Sequence, residues 1–301
     1  MSGGVSIWLE AARPKTLWAA VAPVVMASAM AYAAGVFHGP TFGVIIAAAL
    51  LIQIGTNLAN DYFDFRKGTD TEQRIGPTRI TQAGLASPGA VKAAFIVAFG
   101  LAVLLGVTLL LRGGWPIAVI GLTSVLLGIL YTGGPWPLAY IGAGDVFAFL
   151  YFGPIASAGT WYLMARTWTW ESVIAGAAAG CFSAALLTVN NYRDIVSDAR
   201  GKKRTLAVRF GPGFARAEFF AMLAGAVAVP ILLAAFFGAT WWLLIAAVPV
   251  LARGFGFVRR LRVEPSEDRA FGDAMNRMLA EVGRLEILYA LLFSIAWLVG
   301  S

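Results

Sequence analysis

The sequence predicts an all-α integral membrane protein, nine transmembrane helices forming a single bundle over residues 1–301. Three observations carry that prediction. The chain is 59% hydrophobic and only 13% charged, with a mean hydropathy of +0.76, far from the usage of a water-soluble domain. Apolar stretches long enough to cross a hydrocarbon core, which takes roughly 20 helical residues, recur along its whole length. With nine spans, all of the 23 Lys and Arg except Arg112 and Arg166 fall on one side of the membrane.

The segment "MSGGVSIWLEAARPKTL" lacks the charged-then-apolar pattern and small-residue cleavage site of a signal peptide, so it is expected to be retained and to lie partly in the interface. The first span runs from about 16 to 34, and the loop after it holds His38, the only histidine, read as an exposed polar residue. The second span, 40–60, runs without a break into "NLANDYFDFRKGTD". Spans three and four, 91–111 and 115–133, are joined by the short "RGGW", and the loop "YTGGPWPLAYIGAGD" leads into the fifth, 143–164. The sixth, 172–193, contains the single cysteine, Cys181, and ends in a second acidic, then basic, stretch, "NNYRDIVSDARGKKRTLAVRFG". Spans seven and eight, 214–238 and 240–258, flank "FGAT". The mixed-charge region "RRLRVEPSEDRAFGDAMNR" reads as a solvated loop suited to anionic lipid heads, and span nine covers 276–300. On that last span Arg277, Glu281 and Arg284 share one face and read as an ion-pair stripe.

A net charge of +7 would suggest nucleic acid in a soluble protein; here the lopsided placement of the positive charge sets orientation instead, and no nucleic-acid partner is expected. The charged side should be cytoplasmic, in the inner membrane. One cysteine allows no intrachain disulfide.

Chemistry should lie where carboxylates interrupt the apolar pattern. Asn57, Asn60, Asp61 and Asp64 fall within roughly a 100° arc of one helix. Asn191, Asp194 and Asp198 repeat the arrangement at the end of the sixth span. A single such cluster reads as a solvated helix end. Two of them, each after Asn, each closing an apolar span and each entering a Gly-containing basic loop, point to function, because ionisable groups cost energy at membrane depth. Carboxylate and amide oxygens are ligands for hard divalent cations, and Mg²⁺ keeps positions for phosphate oxygens. Lys67, Arg74, Arg79, Lys202, Lys203 and Arg204 follow directly and suit further phosphate oxygens. The ligand implied is a metal-bound diphosphate with a lipid tail between the helices.

These paired N-D-x-x-D and D-x-x-x-D motifs on nine apolar spans resemble the UbiA superfamily of intramembrane aromatic prenyltransferases. "RPKTL", "RIGPTRITQAG", "YTGGPWPLAYIGAGD" and the two acidic stretches are similar to its 1,4-dihydroxy-2-naphthoate polyprenyltransferase branch, the MenA type of menaquinone biosynthesis. The resemblance implies Mg²⁺ held by Asn57, Asn60, Asp61, Asp64, Asn191, Asp194 and Asp198 around the diphosphate of a polyprenyl donor, with 1,4-dihydroxy-2-naphthoate as acceptor. Asp70 is a weaker candidate ligand, since five residues separate it from Asp64 and Gly68 breaks the helix phase. Tyr131 and Tyr140 are candidates to face a developing carbocation, or else belong to an interfacial aromatic belt. Asp145 reads equally as a catalytic acid or a first-turn helix residue. The runner-up readings are prenylation of another acceptor such as 4-hydroxybenzoate, and, in a different class, an ion-coupled transporter. Both acidic clusters lie at span ends instead of the midplane, which disfavours the transporter. A CDP-alcohol phosphotransferase would carry D-G-x-x-A-R, which "DYFDFRKGTD" lacks.

Overall fold

The computed structural model describes residues 2–68, 76 and 78–301, and their ordered elements are helices. Two helices form the N-terminal corner, α1 (Ser2–Ala12) and α2 (Pro14–Ala33), followed by α3 (Gly39–Arg66), α4 (Pro88–Gly113) and α5 (Trp115–Leu130). Next come α6 (Gly144–Tyr151), α7 (Pro154–Ala165), α8 (Trp170–Arg193), α9 (Ile195–Arg200) and α10 (Leu206–Phe237). A 3-10 turn at Trp241–Ala246, α11 (Val248–Leu261) and α12 (Arg269–Val299) complete the chain.

Local chemistry sets where these helices begin. Pro14, Pro88 and Pro154 stand at first helical positions, where a missing N–H costs nothing. Ser87, Thr169 and Thr205 cap α4, α8 and α10 by accepting from the backbone N–H three residues on. His38 does the same for α3: its Nδ1 accepts from Thr41 N at 3.3 Å, so the lone histidine is a helix cap.

Among the described residues, eight helical segments are long and apolar enough to span a membrane, not nine. The exception is the predicted fourth span, which is α5: at 16 residues it is roughly 24 Å long, less than the hydrocarbon thickness. Two spans are built from two pieces. Residues 143–164 become α6 and α7 across a break at Phe152 and Gly153, and residues 240–258 become the 3-10 turn and α11. Near its start α10 kinks at Gly211, whose φ of 83° only glycine adopts cheaply.

Helix α8 is the central post. Its Ala- and Gly-rich surface packs against α2, α6, α7, α10 and α12, and Phe182, Tyr192, Phe219, Tyr289 and Phe293 fill the largest core cluster around it. Small residues let the neighbours come close: a Cβ on Gly180 would lie 2.4 Å from Phe149 O, and one on Gly176 2.6 Å from Gly153 O. A second cluster joins α3 to α4 through Phe95, Phe99, Leu58 and the loop residue Ile80. This packing brings the C-terminal ends of α3 and α8 to the same end of the bundle.

Candidate active site

The four oxygen-bearing residues on α3 do not converge on one point, as their shared arc suggested. Their arc is wide enough to face two sets of neighbours. On one edge, Asn57 donates from Nδ2 to Ala12 O at 3.0 Å and Thr16 Oγ1 at 3.1 Å, which ties α3 to the α1–α2 corner. Asp61, one turn on, accepts from two consecutive backbone donors, Ile80 N to Oδ2 at 2.9 Å and Thr81 N to Oδ1 at 3.1 Å. On the other edge, Asn60 Oδ1 accepts from Thr132 Oγ1 at 2.9 Å. Asp64, 1% exposed, accepts from Arg79 Nη2 at 3.0 Å and Tyr140 Oη at 3.1 Å and pairs with Lys203 Nζ at 3.3 Å.

Lys203 joins the two clusters. Its ammonium lies 3.3 Å from Asp64 Oδ2 and 3.9 Å from Asp198 Oδ1, so carboxylates from the end of α3 and from α9 share one cation. The second cluster is similarly neutralised. Arg193 forks onto Asp194, Nε to Oδ1 at 2.7 Å and Nη2 to Oδ2 at 2.6 Å, while its Nη1 donates to Asn276 Oδ1 on α12 at 2.7 Å. Asn191 Nδ2 donates to buried Asp145 Oδ1 at 3.2 Å, which gives Asp145 a partner on α8.

The basic candidates divide by what their side chains reach. Arg79 and Lys203 reach Asp64, and Lys67 Nζ donates to Thr132 O at 2.6 Å. Partial desolvation pulls the Lys67 ammonium below the ordinary lysine range, with Asp64 opposing the shift and Lys203 adding to it. Lys202 and Arg204 are exposed; Arg204 touches the site through its backbone, N to Tyr140 O at 3.1 Å. Asp70 and Arg74 lie outside the described residues. The Tyr140 ring carries two ammonium groups, Lys67 at 4.5 Å and Lys203 at 5.2 Å from its centroid, so it orders lysines instead of facing the apolar interior. Tyr131 does face that interior.

Beside this charged end lies an apolar cavity of about 320 Å³, bounded by α2 to α7. Thr56, Gly128, Tyr131 and Leu138 line its end nearest the acids, and Tyr131 adjoins Thr132, the partner of both Asn60 and Lys67. Val107 and Leu122 line it and are also 46% and 62% exposed on the outer surface, so the cavity meets the lipid along α4 and α5. The sequence reading missed Thr132, Arg193 and Asn276. Arg193 stood inside a motif already singled out, but its link to Asn276 joins residues 83 positions apart.

Among the described residues, no three His, Cys, Asp or Glu side chains gather into a cage for a metal ion. The donor set nonetheless fits a hard divalent cation: Asp64 and Asp198 already stabilise one shared positive charge, and Mg²⁺ takes few protein ligands and fills the rest with water or phosphate oxygens. A charged end of paired carboxylates and cations over an apolar cavity suits a ligand with an anionic head and a long tail.

The model of the UbiA prenyltransferase family matches residues 20–280. The chain belongs to the UbiA prenyltransferase family. Within it, the chain is 33% identical to a 1,4-dihydroxy-2-naphthoate octaprenyltransferase of Haemophilus influenzae over 98% of this chain and 97% of the relative. It is 39% identical to the protein of that name from Mycobacterium tuberculosis, over 84% of this chain and 86% of the relative. Among solved structures it is similar to a UbiA homolog from Archaeoglobus fulgidus bound to DMAPP and Mg²⁺, with a TM-score of 0.61 at 14% identity over 97% of this chain and 99% of that one. An apo UbiA homolog from Aeropyrum pernix K1 gives a TM-score of 0.65 at 14% identity, covering 92% and 97%. These structures support the UbiA helical fold assigned above. The chain is a multi-pass integral membrane protein of this family.

Proposed function

We propose that this UbiA family member transfers a polyprenyl group from polyprenyl diphosphate to 1,4-dihydroxy-2-naphthoate, with release of diphosphate and CO₂, yielding demethylmenaquinol for menaquinone synthesis. The observation that carries the reading is the shared cation between Asp64 and Asp198 at the head of an apolar cavity open to lipid. Relatives named for this activity over nearly the full chain support the acceptor.

In this reading the whole chain is one prenyltransferase domain. Asn60, Asp64, Asn191, Asp194 and Asp198 would hold Mg²⁺, which when bound supplies charge neutralisation for the departing diphosphate. Arg79 and Lys203, already paired with Asp64, and Lys67, beside the Tyr140 ring, hold phosphate oxygens as that charge develops. The cavity holds the prenyl tail and excludes water. Cleavage of the allylic C–O bond sends its electron pair to the diphosphate, and the allylic cation forms beside the Tyr131 face. Ring carbon then bonds to the cation, and the carboxylate leaves as CO₂, its C–C electron pair restoring the aromatic ring. That step needs no base at the ring carbon, in keeping with a site whose described carboxylates are engaged with donors or cations. The site faces the cytoplasm of the inner membrane, because nearly all Lys and Arg lie on its side.

The test uses naphthoate labelled in its carboxyl carbon with purified protein, Mg²⁺ and a polyprenyl diphosphate. One labelled CO₂ per prenylated product is expected. A product that keeps the label, or turnover of 4-hydroxybenzoate alone, rules the reading out.

A further inference from the structure

We propose that Asp61 is a positioning residue: its carboxylate anchors the turn at 79–85 so that Arg79 is presented to the diphosphate, and it is not a metal ligand. The inference rests on the prenyl transfer reading for the identity of the anion, and on geometry alone for the anchor.

The turn is a single helical loop of chain. Ala83 N donates to Arg79 O at 2.9 Å and Leu85 N to Ile80 O at 2.9 Å, while Ile80 itself is fully buried against α3 and α4. A turn of this kind leaves its first N–H groups without internal acceptors, and when buried they need partners. Asp61, 3% exposed, supplies one oxygen to each, Ile80 N and Thr81 N, a pair of charge-assisted bonds from a different helix. Both oxygens are thereby aimed at the turn, away from the edge of α3 where Asn60 and Asp64 meet Thr132, Tyr140 and Lys203. One turn further along α3, Asp64 receives the Arg79 guanidinium. Two acids three residues apart therefore hold the same segment at two points: Asp61 grips its backbone and Asp64 its side chain. Asp64 in addition shares the Lys203 ammonium with Asp198 of the second cluster. Asn57 treats the α1–α2 corner in the same way, through Ala12 O, next to Arg13.

The experiment uses full-length protein in detergent or nanodiscs and compares Asp61→Asn, Thr81→Pro, Arg79→Ala and Asp64→Asn. Thr81→Pro deletes one donated N–H and leaves Asp61 intact, so it reports on the anchor even where Asp61→Asn fails to fold. Hydrogen exchange needs no substrate: Asp61→Asn, or Thr81→Pro in its place, should speed exchange in the 78–86 segment by about tenfold or more, with 194–203 unchanged. In turnover assays Asp61→Asn, or Thr81→Pro in its place, and Arg79→Ala should raise KM for the prenyl diphosphate and leave the Mg²⁺ concentration for half-maximal rate within about twofold of the parent, whereas Asp64→Asn raises it. Unchanged exchange at 78–86 overturns the anchor. A rise of about tenfold in the Mg²⁺ requirement of Asp61→Asn overturns the proposal whatever the exchange shows, because a ligand and not an anchor has then been lost. Loss of exchange protection in a protein that transfers no prenyl group would sink the functional reading and leave the anchor standing.

Discussion

Asp64 is where most of the site's charge meets. Its carboxylate is buried with two cations and a phenol, and removing one partner of such a group leaves the others uncompensated, at a cost of about 3–5 kcal/mol. Asp64→Ala is therefore expected to lower turnover by at least about a hundredfold and to lower the melting temperature too. Asp194→Ala should lose turnover comparably, since Arg193 is then left facing the site without its carboxylate. The two neighbouring lysines should separate cleanly. Lys203→Ala removes the cation that Asp64 and Asp198 share and should weaken donor binding about tenfold, while Lys202→Ala, at an exposed side chain, should change it by less than about twofold. Steady-state kinetics on folded variants checks all four; equal effects of the two lysine variants would show that the shared cation does not matter.

Among the elements, α8 sets the architecture because its small residues let α6 and α7 approach at backbone distance. The pair Gly176 and Gly180 is a G-x-x-x-G spacing visible in "GAAAG", and the structure shows what it accommodates: Gly153 and Phe149 backbone. Gly180→Ala puts a methyl 2.4 Å from Phe149 O, so backbone has to shift, and the expected cost is about 1–3 kcal/mol. Gly106→Ala on α4 is the control, with nothing within 4 Å of the new methyl and a better helix former in place. Thermal unfolding in one detergent should rank Gly180→Ala well below the parent and Gly106→Ala level with it; the same melting point for both would refute the close approach. The element that sequence length misjudged is α5. Its apolar run continues to residue 133, but the helix stops at Leu130, after which Thr132 serves Asn60 and Lys67.

At the scale of the whole molecule, the charge pattern and the fold describe the same asymmetry. The ends of α3 and α9 meet at one end of the bundle through Lys203, and almost every Lys and Arg lies on that side of the predicted topology. A cysteine placed at Ser266, in a background lacking Cys181, should react with a membrane-impermeant reagent only from the cytoplasmic face. Reaction from the outer face alone would invert the orientation. The cavity adds a second asymmetry. It opens sideways along α4 and α5, in the part of the bundle built by α2 to α7, whereas the largest core lies among α8, α10 and α12.

Membrane class, the nine apolar segments, the two acidic ends and their basic loops were legible in the sequence, because each depends on length, periodicity or summed charge within a short stretch. The partition of those acids was not. Asp61 and Asp64 differ by three positions, yet one holds backbone at Ile80 and Thr81 and the other meets Tyr140 and Lys203, 76 and 139 residues away. A helical wheel gives the direction of a side chain but not what stands opposite it. That is decided by how α8 and its neighbours pack, since only the packed bundle brings a lysine from beyond α9 between carboxylates that the chain keeps far apart.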